Sequence, residues 1–120
     1  MYSKIPEQTP GLDLRAALAR VGGDEELLKE IAAIFLEEWR GALAAVDRAV
    51  AAGDADDLQE AAHSIKGSIA NFGAQEAFDA ALRLEMMGRN RTLAGSREAL
   101  LHLERSLQNL VPQLTRLAGG

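Results

Sequence analysis

Three features of the 120-residue sequence predict an all-α fold, an up-down-up-down antiparallel four-helix bundle with a short extra N-terminal helix. Alanine and leucine dominate the apolar residues while β-branched and aromatic side chains are sparse, a balance that favours helix over strand. Apolar positions recur at alternating steps of three and four through four long segments, the spacing that lines one face of a helix. Short connections bearing glycine or aspartate join those segments, so consecutive helices lie side by side and antiparallel. The length fits one domain with a real core. Its expected extent is residues 12–117, between a tail or linker over residues 1–11 and a frayed end over 118–120.

Pro6, Pro10 and Gly11, without periodicity around them, mark the tail. Asp13 caps a short helix to about Val21 that turns Leu14, Ala17, Leu18 and Val21 to one side, and Gly22-Gly23 ends it. Asp24 opens the second helix, whose stripe runs Leu28, Ala32, Phe35, Trp39, Leu43, Val46 and Val50 as far as Gly53. At 1.5 Å per residue this helix is about 40 Å long, with Gly41 a point where it can bend. Leu27, Ile31 and Ile34 lie off the stripe and either contact the first helix or meet a partner, with core the favoured reading. Asp54 caps the third helix, with Asp57 in its first turn at the positive end of the helix dipole. That helix stops near Gly73, the left-handed stop after Asn71-Phe72. Ala74 begins a fourth helix with Ala77, Phe78, Ala81 and Leu84 inward, and Gly88 to Gly95 reads as a polar, glycine-bearing loop or frayed start. The last helix presents Leu100, Leu103, Leu107, Leu110 and Leu114, with Pro112 positioned to kink it.

The formal charge of −5 disfavours nucleic acid and anionic membrane as partners, since both repel an acidic surface. A protein partner fits better. The absence of cysteine excludes disulfides and thiolate metal sites, and no apolar run approaches a signal h-region or a membrane span. The expectation is a cytoplasmic monomer.

The segment Ala61 to Ser68 carries the chemistry. Leu58, Ala62, Ile65, Ile69 and Phe72 form its buried stripe, and at about 100° per residue His63 lies about 200° round from Ile65, facing solvent. Lys66 at i+3 and Gly67 at i+4 share that face. A glycine inside an exposed helix costs roughly 1 kcal/mol relative to alanine. Its missing side chain lets another surface come close to the imidazole.

The run His63-x-x-Lys66-Gly67-Ser68, followed by Gly73-Ala74, resembles the histidine-containing phosphotransfer (HPt) family of bacterial two-component phosphorelays. The resemblance spans roughly residues 12–117, with Leu12-Asp13-Leu14 and Val21 to Leu28 similar to the family's first helix and second-helix entry, and Leu84-Glu85 similar to its pattern downstream. It implies that His63 accepts a phosphoryl group on Nε2 from the phosphoaspartate of a response-regulator receiver and returns it to another receiver aspartate. Partners would then be receiver domains and a hybrid sensor histidine kinase, with Mg²⁺ supplied by the receiver and no cofactor or metal of the chain's own. Lys66 would offset charge on the phosphoryl oxygens. In an antiparallel hairpin about Gly73, His63 and Glu85 stand at nearly the same level. An acceptor there holds the proton on Nδ1 and frees Nε2, so Glu85 is the expected orienter, ahead of Gln59 and Glu60. Gln59, Gly67, Ala70 and Asn71 form the expected docking ridge. Ser68 is structural, its hydroxyl bonding the Ser64 carbonyl, and Gly73 serves the turn. No Gly-rich phosphate loop or Walker sequence is present, so the domain is a carrier and not an ATP-using enzyme.

Two rivals are weaker. Glu60-Ala61-Ala62-His63 has the Glu-x-x-His spacing of di-iron bundles, but those need a second such pair and further inward glutamates, and no second Glu-x-x-His occurs. A bundle used only for protein binding would not need both His63 and Lys66. His102, with no Lys-Gly after it, is a surface histidine, and Phe35 and Trp39 are bundle core.

Overall fold

The computed structural model describes residues 11–119 as five helices with no strand among them. The expected tail lies, except for Gly11, outside the described residues. The helices are α1 (Leu14–Arg20), α2 (Glu25–Ala52), α3 (Ala55–Ala70), α4 (Gln75–Asn90) and α5 (Ser96–Gly119). Three of them begin as the aspartates predict. Asp13, Asp24 and Asp54 have extended backbones, and their side chains accept from the N–H groups of Ala16, Leu27 and Asp57 at 3.1, 3.1 and 3.0 Å. Each such cap contributes about 1 kcal/mol.

Helix α2 packs on α3 and α5, α4 packs on the same two, and α1 touches α2. The shared core is the predicted stripes: Leu28, Ala32, Phe35 and Val46 of α2, Leu58, Ala62, Ile65 and Ile69 of α3, Ala77, Ala81 and Leu84 of α4, and all five leucines expected of α5. Phe72 is fully enclosed and meets Phe35 edge to face at 5.4 Å. Trp39 is half-buried, with the Arg40 guanidinium over its ring at 5.2 Å. Helix α1 is tied down by its start: the Asp13 N–H donates to the Phe72 carbonyl at 3.0 Å.

Four expectations need correction. Leu27 and Ile34 are 40% and 53% exposed and Ile31 is only half-buried, because α1 has seven residues and buries only Ala17, too short a helix to cover that flank of α2. Leu14 is likewise 47% exposed. Gly88 is not in a loop: α4 continues to Asn90 and ends on Arg91, a left-handed residue at φ 56° whose guanidinium donates to Asp56 at 2.8 Å. The chain leaves α4 only after Arg91, and α5 continues through Pro112 to Gly119, past the expected boundary at 117.

Gly88 sits where the backbones of α3 and α4 are in tight contact. A Cβ there would stand 2.6 Å from the Gln59 nitrogen and 2.7 Å from the Ala55 oxygen, both backbone atoms that cannot yield without moving a helix. Across this seam Asp56 faces Arg91, Gln59 faces Gly88 and His63 faces Glu85, so numbers rise along α3 as they fall along α4 and the two run antiparallel. By contrast, a Cβ on Gly67 would meet nothing within 4 Å. Gly88→Ala is therefore expected to lower the unfolding free energy by about 1–3 kcal/mol. Gly67→Ala should raise it by up to about 1 kcal/mol. Urea titrations followed by circular dichroism compare the two.

Candidate functional site

His63 and Lys66 sit one turn apart on α3, and Glu85 faces them from α4. Close packing at Gly88, one turn beyond Glu85, draws the helices together enough for a glutamate to bridge them. The His63 side chain is 68% exposed, and its Nδ1 lies 3.0 Å from Glu85 Oε2. An ionised carboxylate only accepts, so Nδ1 carries the hydrogen and donates it. Nε2 is then left with its lone pair, the tautomer that a nucleophile requires.

Glu85 itself is buried, and its two oxygens are divided among three partners. Lys66 Nζ lies 2.6 Å from Oε1, while the Arg89 guanidinium donates to Oε2 at 3.2 Å beside the imidazole. Burial alone would push the Glu85 carboxyl up; the hydrogen bonds and charges of Lys66 and His63 outweigh it and hold the group below the ordinary glutamate range. A buried charge needs such partners: Oε2 accepts the hydrogen bonds, and Oε1 faces the Lys66 charge. Around the imidazole, Asp56, Gln59, Glu60, Glu85 and Arg89 line an open groove with it.

The other expected residues continue along α3 from this groove. Gly67 opens a clear space one turn beyond His63. Ala70 and Asn71 follow, half-buried, and Asn71 and Ser68 form with Ile31, Ile34, Phe35 and Glu38 a second groove against α2. The Ser68 hydroxyl donates to the Ser64 carbonyl at 3.5 Å, the helix-internal contact expected of it. Gly73 has φ 61°, and a Cβ there would lie 2.9 Å from the Cβ of Asp13. It serves both the left-handed turn and the approach of α1. His102 is exposed, 3.8 Å from Glu76. Glu60 lines the groove with His63, yet among the described residues no three histidine or acidic side chains converge as a metal ion would require.

Two features departed from sequence reasoning. Lys66 does not project freely toward the space above His63; its side chain is 18% exposed, held on Glu85 and 5.8 Å from the Phe78 ring centre. Arg89 was missed altogether. Its spacing from Glu85, i to i+4 with the acid first, is the favourable order for a helix ion pair and was the available signal.

A group whose folded-state pKa is depressed stabilises the fold above its unfolded pKa, about 4.3 for glutamate, and that stability is lost as pH falls through the folded value. Glu85→Gln is therefore expected to cost about 1–3 kcal/mol near neutral pH. The gap from the parent should close as pH drops below the ordinary glutamate range. Thermal unfolding of both proteins across pH 2–7 (a window set around that value) measures it; a gap that stays constant would mean Glu85 is not the titrating group.

Residues 30–113 match the family model of the Hpt domain. The crystal structure of histidine-containing phosphotransfer protein B from Pseudomonas aeruginosa PAO1 superposes with a TM-score of 0.83 at 24% identity, covering 92% of this chain and 96% of that one, a likeness of fold. No curated protein matches. The matched span takes in α3, α4 and most of α2 and α5, and with them His63 and its partners. The chain thus belongs to the Hpt domain family, phosphocarriers rather than kinases that interact with receiver domains and kinases, and has a histidine phosphotransfer role in two-component signalling.

Proposed function

We propose that His63 is the phosphoryl acceptor and that the chain relays the group between aspartates of response-regulator receiver domains in a multistep phosphorelay fed by a hybrid sensor histidine kinase. The observation that carries this reading is the Nδ1–H to Glu85 hydrogen bond on an exposed ring, which leaves Nε2 both basic and reachable. Nε2 attacks the phosphorus of an incoming phosphoaspartate as the acyl phosphate P–O bond breaks, and the aspartate leaves as carboxylate. The phosphorylated ring keeps its Nδ1 proton and gains positive charge, which the Glu85 carboxylate offsets. Attack by a second receiver's aspartate reverses the step. Mg²⁺ comes with the receiver, and the chain itself binds no ATP.

The docking surface in this reading is the α3 ridge of Gln59, Gly67, Ala70 and Asn71, with the exposed Ile34 of α2 sharing a groove with Asn71. An apolar flank next to a side chain-free gap suits a close protein contact. One His63 face serves one receiver at a time, in keeping with a cytoplasmic monomer. No helix among the described residues is long and apolar enough to cross a membrane. The scaffold is read as an up-down-up-down antiparallel bundle over residues 12–117, with α1 added at one end. Supporting this, Phe35 meets Phe72 while Ala52 and Asp57 share a groove across α2 and α3, and Glu76 approaches His102 while Gly95 neighbours Met87 across α4 and α5. Each pair of registers runs in opposite senses.

Incubation with a phosphorylated receiver domain tests the reading. The chain should acquire an acid-labile, alkali-stable label that His63→Gln abolishes without loss of helicity. Lys66→Ala should slow transfer, and Gly67→Gln should weaken receiver binding about tenfold or more while leaving the fold intact. Label persisting on His63→Gln would place the acceptor elsewhere.

A further inference from the structure

The two cations that hold Glu85 are not equivalent. Lys66 is enclosed between Oε1 and the Phe78 ring, its charge matched by the carboxylate at 2.6 Å. Arg89 is 52% exposed and reaches Oε2 through one amino group only, at 3.2 Å, longer than the 2.7–2.9 Å range typical of a charge-assisted bond, about the length of a neutral one. Its other amino group rests 3.6 Å from the Met86 sulfur, a weak acceptor. A guanidinium has five N–H donors in a planar fork, so most of this one's capacity is unspent.

Position adds to this. Arg89 shares Oε2 with the His63 imidazole and lines the same groove, so its guanidinium stands beside the reacting ring. Asp56 and Glu60 line that groove as well and oppose the entry of an anion. We infer that Arg89 is the phosphoryl-binding cation of this site: when Nε2 of His63 carries the phosphoryl group, the Arg89 fork donates to its non-bridging oxygens while Lys66 stays on Glu85. The two cations thereby divide the work, Lys66 fixing the orienter and Arg89 receiving the charge that arrives. This inference rests on His63 as the acceptor.

Phosphoramidate tests it without a receiver, since it phosphorylates histidine directly. The Nε2–P bond forms as the donor's P–N bond breaks, and ammonia leaves with the proton its nitrogen already carries. Arg89→Ala and Arg89→Gln should be labelled about three- to tenfold more slowly than the parent, and Arg89→Lys should recover part of the rate. In nitrogen-15 spectra the Arg89 Nε–H resonance of the parent should shift on phosphorylation, and unphosphorylated Arg89→Ala should keep the Nδ1–H tautomer of His63. Arg89→Ala labelled at the parental rate, with the arginine resonance unmoved in the parent, overturns the inference. So does a slow Arg89→Ala that has lost the Nδ1–H tautomer, because Arg89 would then act only by holding Glu85. Labelling of His63→Gln would instead remove the acceptor assignment, and this inference with it.

Discussion

A single carboxylate, Glu85, set into the seam between α3 and α4, organises the site. Its burial would be costly without partners, and it recruits Lys66, Arg89 and the His63 imidazole. One oxygen takes Lys66; the other takes the imidazole hydrogen and Arg89. The same bonds that stabilise the buried charge therefore fix the tautomer of His63 and gather two positive charges next to it. One atom pair, Oε2 and Nδ1 at 3.0 Å, ties the stability of the buried charge to the tautomer of His63.

That coupling depends on how near the helices come. A glutamate spans only a short gap, and the backbone of Gly88 lies against the backbone of Ala55 and Gln59 one turn from Glu85. Both helices also bury alanines, Ala62 of α3 and Ala77, Ala80 and Ala81 of α4. Small side chains let the axes approach, and the close approach lets a short acid cross the interface. A larger residue at 88 would spread the seam and lengthen every bond that Glu85 makes to α3.

Much of this was legible in the sequence because periodicity reports burial directly. The stripes of α3 and α5 were read position by position, the three aspartate caps were evident, and His63 was placed outward from its angle to Ile65 alone. Glu85 followed from counting outward from Gly73. What escaped depends on neighbours that a one-dimensional pattern does not contain. Leu27 and Ile34 look like core on any hydropathy count, and they are exposed only because α1 is too short to cover them. Gly88 looked like a loop residue because glycine commonly ends helices; here it marks a helix crossing. Lys66 is expected from its spacing to face the phosphoryl group, and nothing in that spacing reveals how fully Glu85 holds it.

The two glycines at positions 67 and 88 show how the same residue type serves opposite needs. Both lie inside helices, where each forgoes about 1 kcal/mol of helix propensity relative to alanine. At Gly88 the loss is offset inside the molecule, since the space is filled by α3 and the approach that results sustains the Glu85 network. At Gly67 nothing in the chain fills the space, and no contact within the monomer offsets the loss. A vacancy of that kind, one turn along α3 from the exposed His63 ring, is the opening that the proposed receiver contact would use. In the proposed relay the complement of this gap belongs to the receiver, whose surface would fill it one turn along α3 from His63.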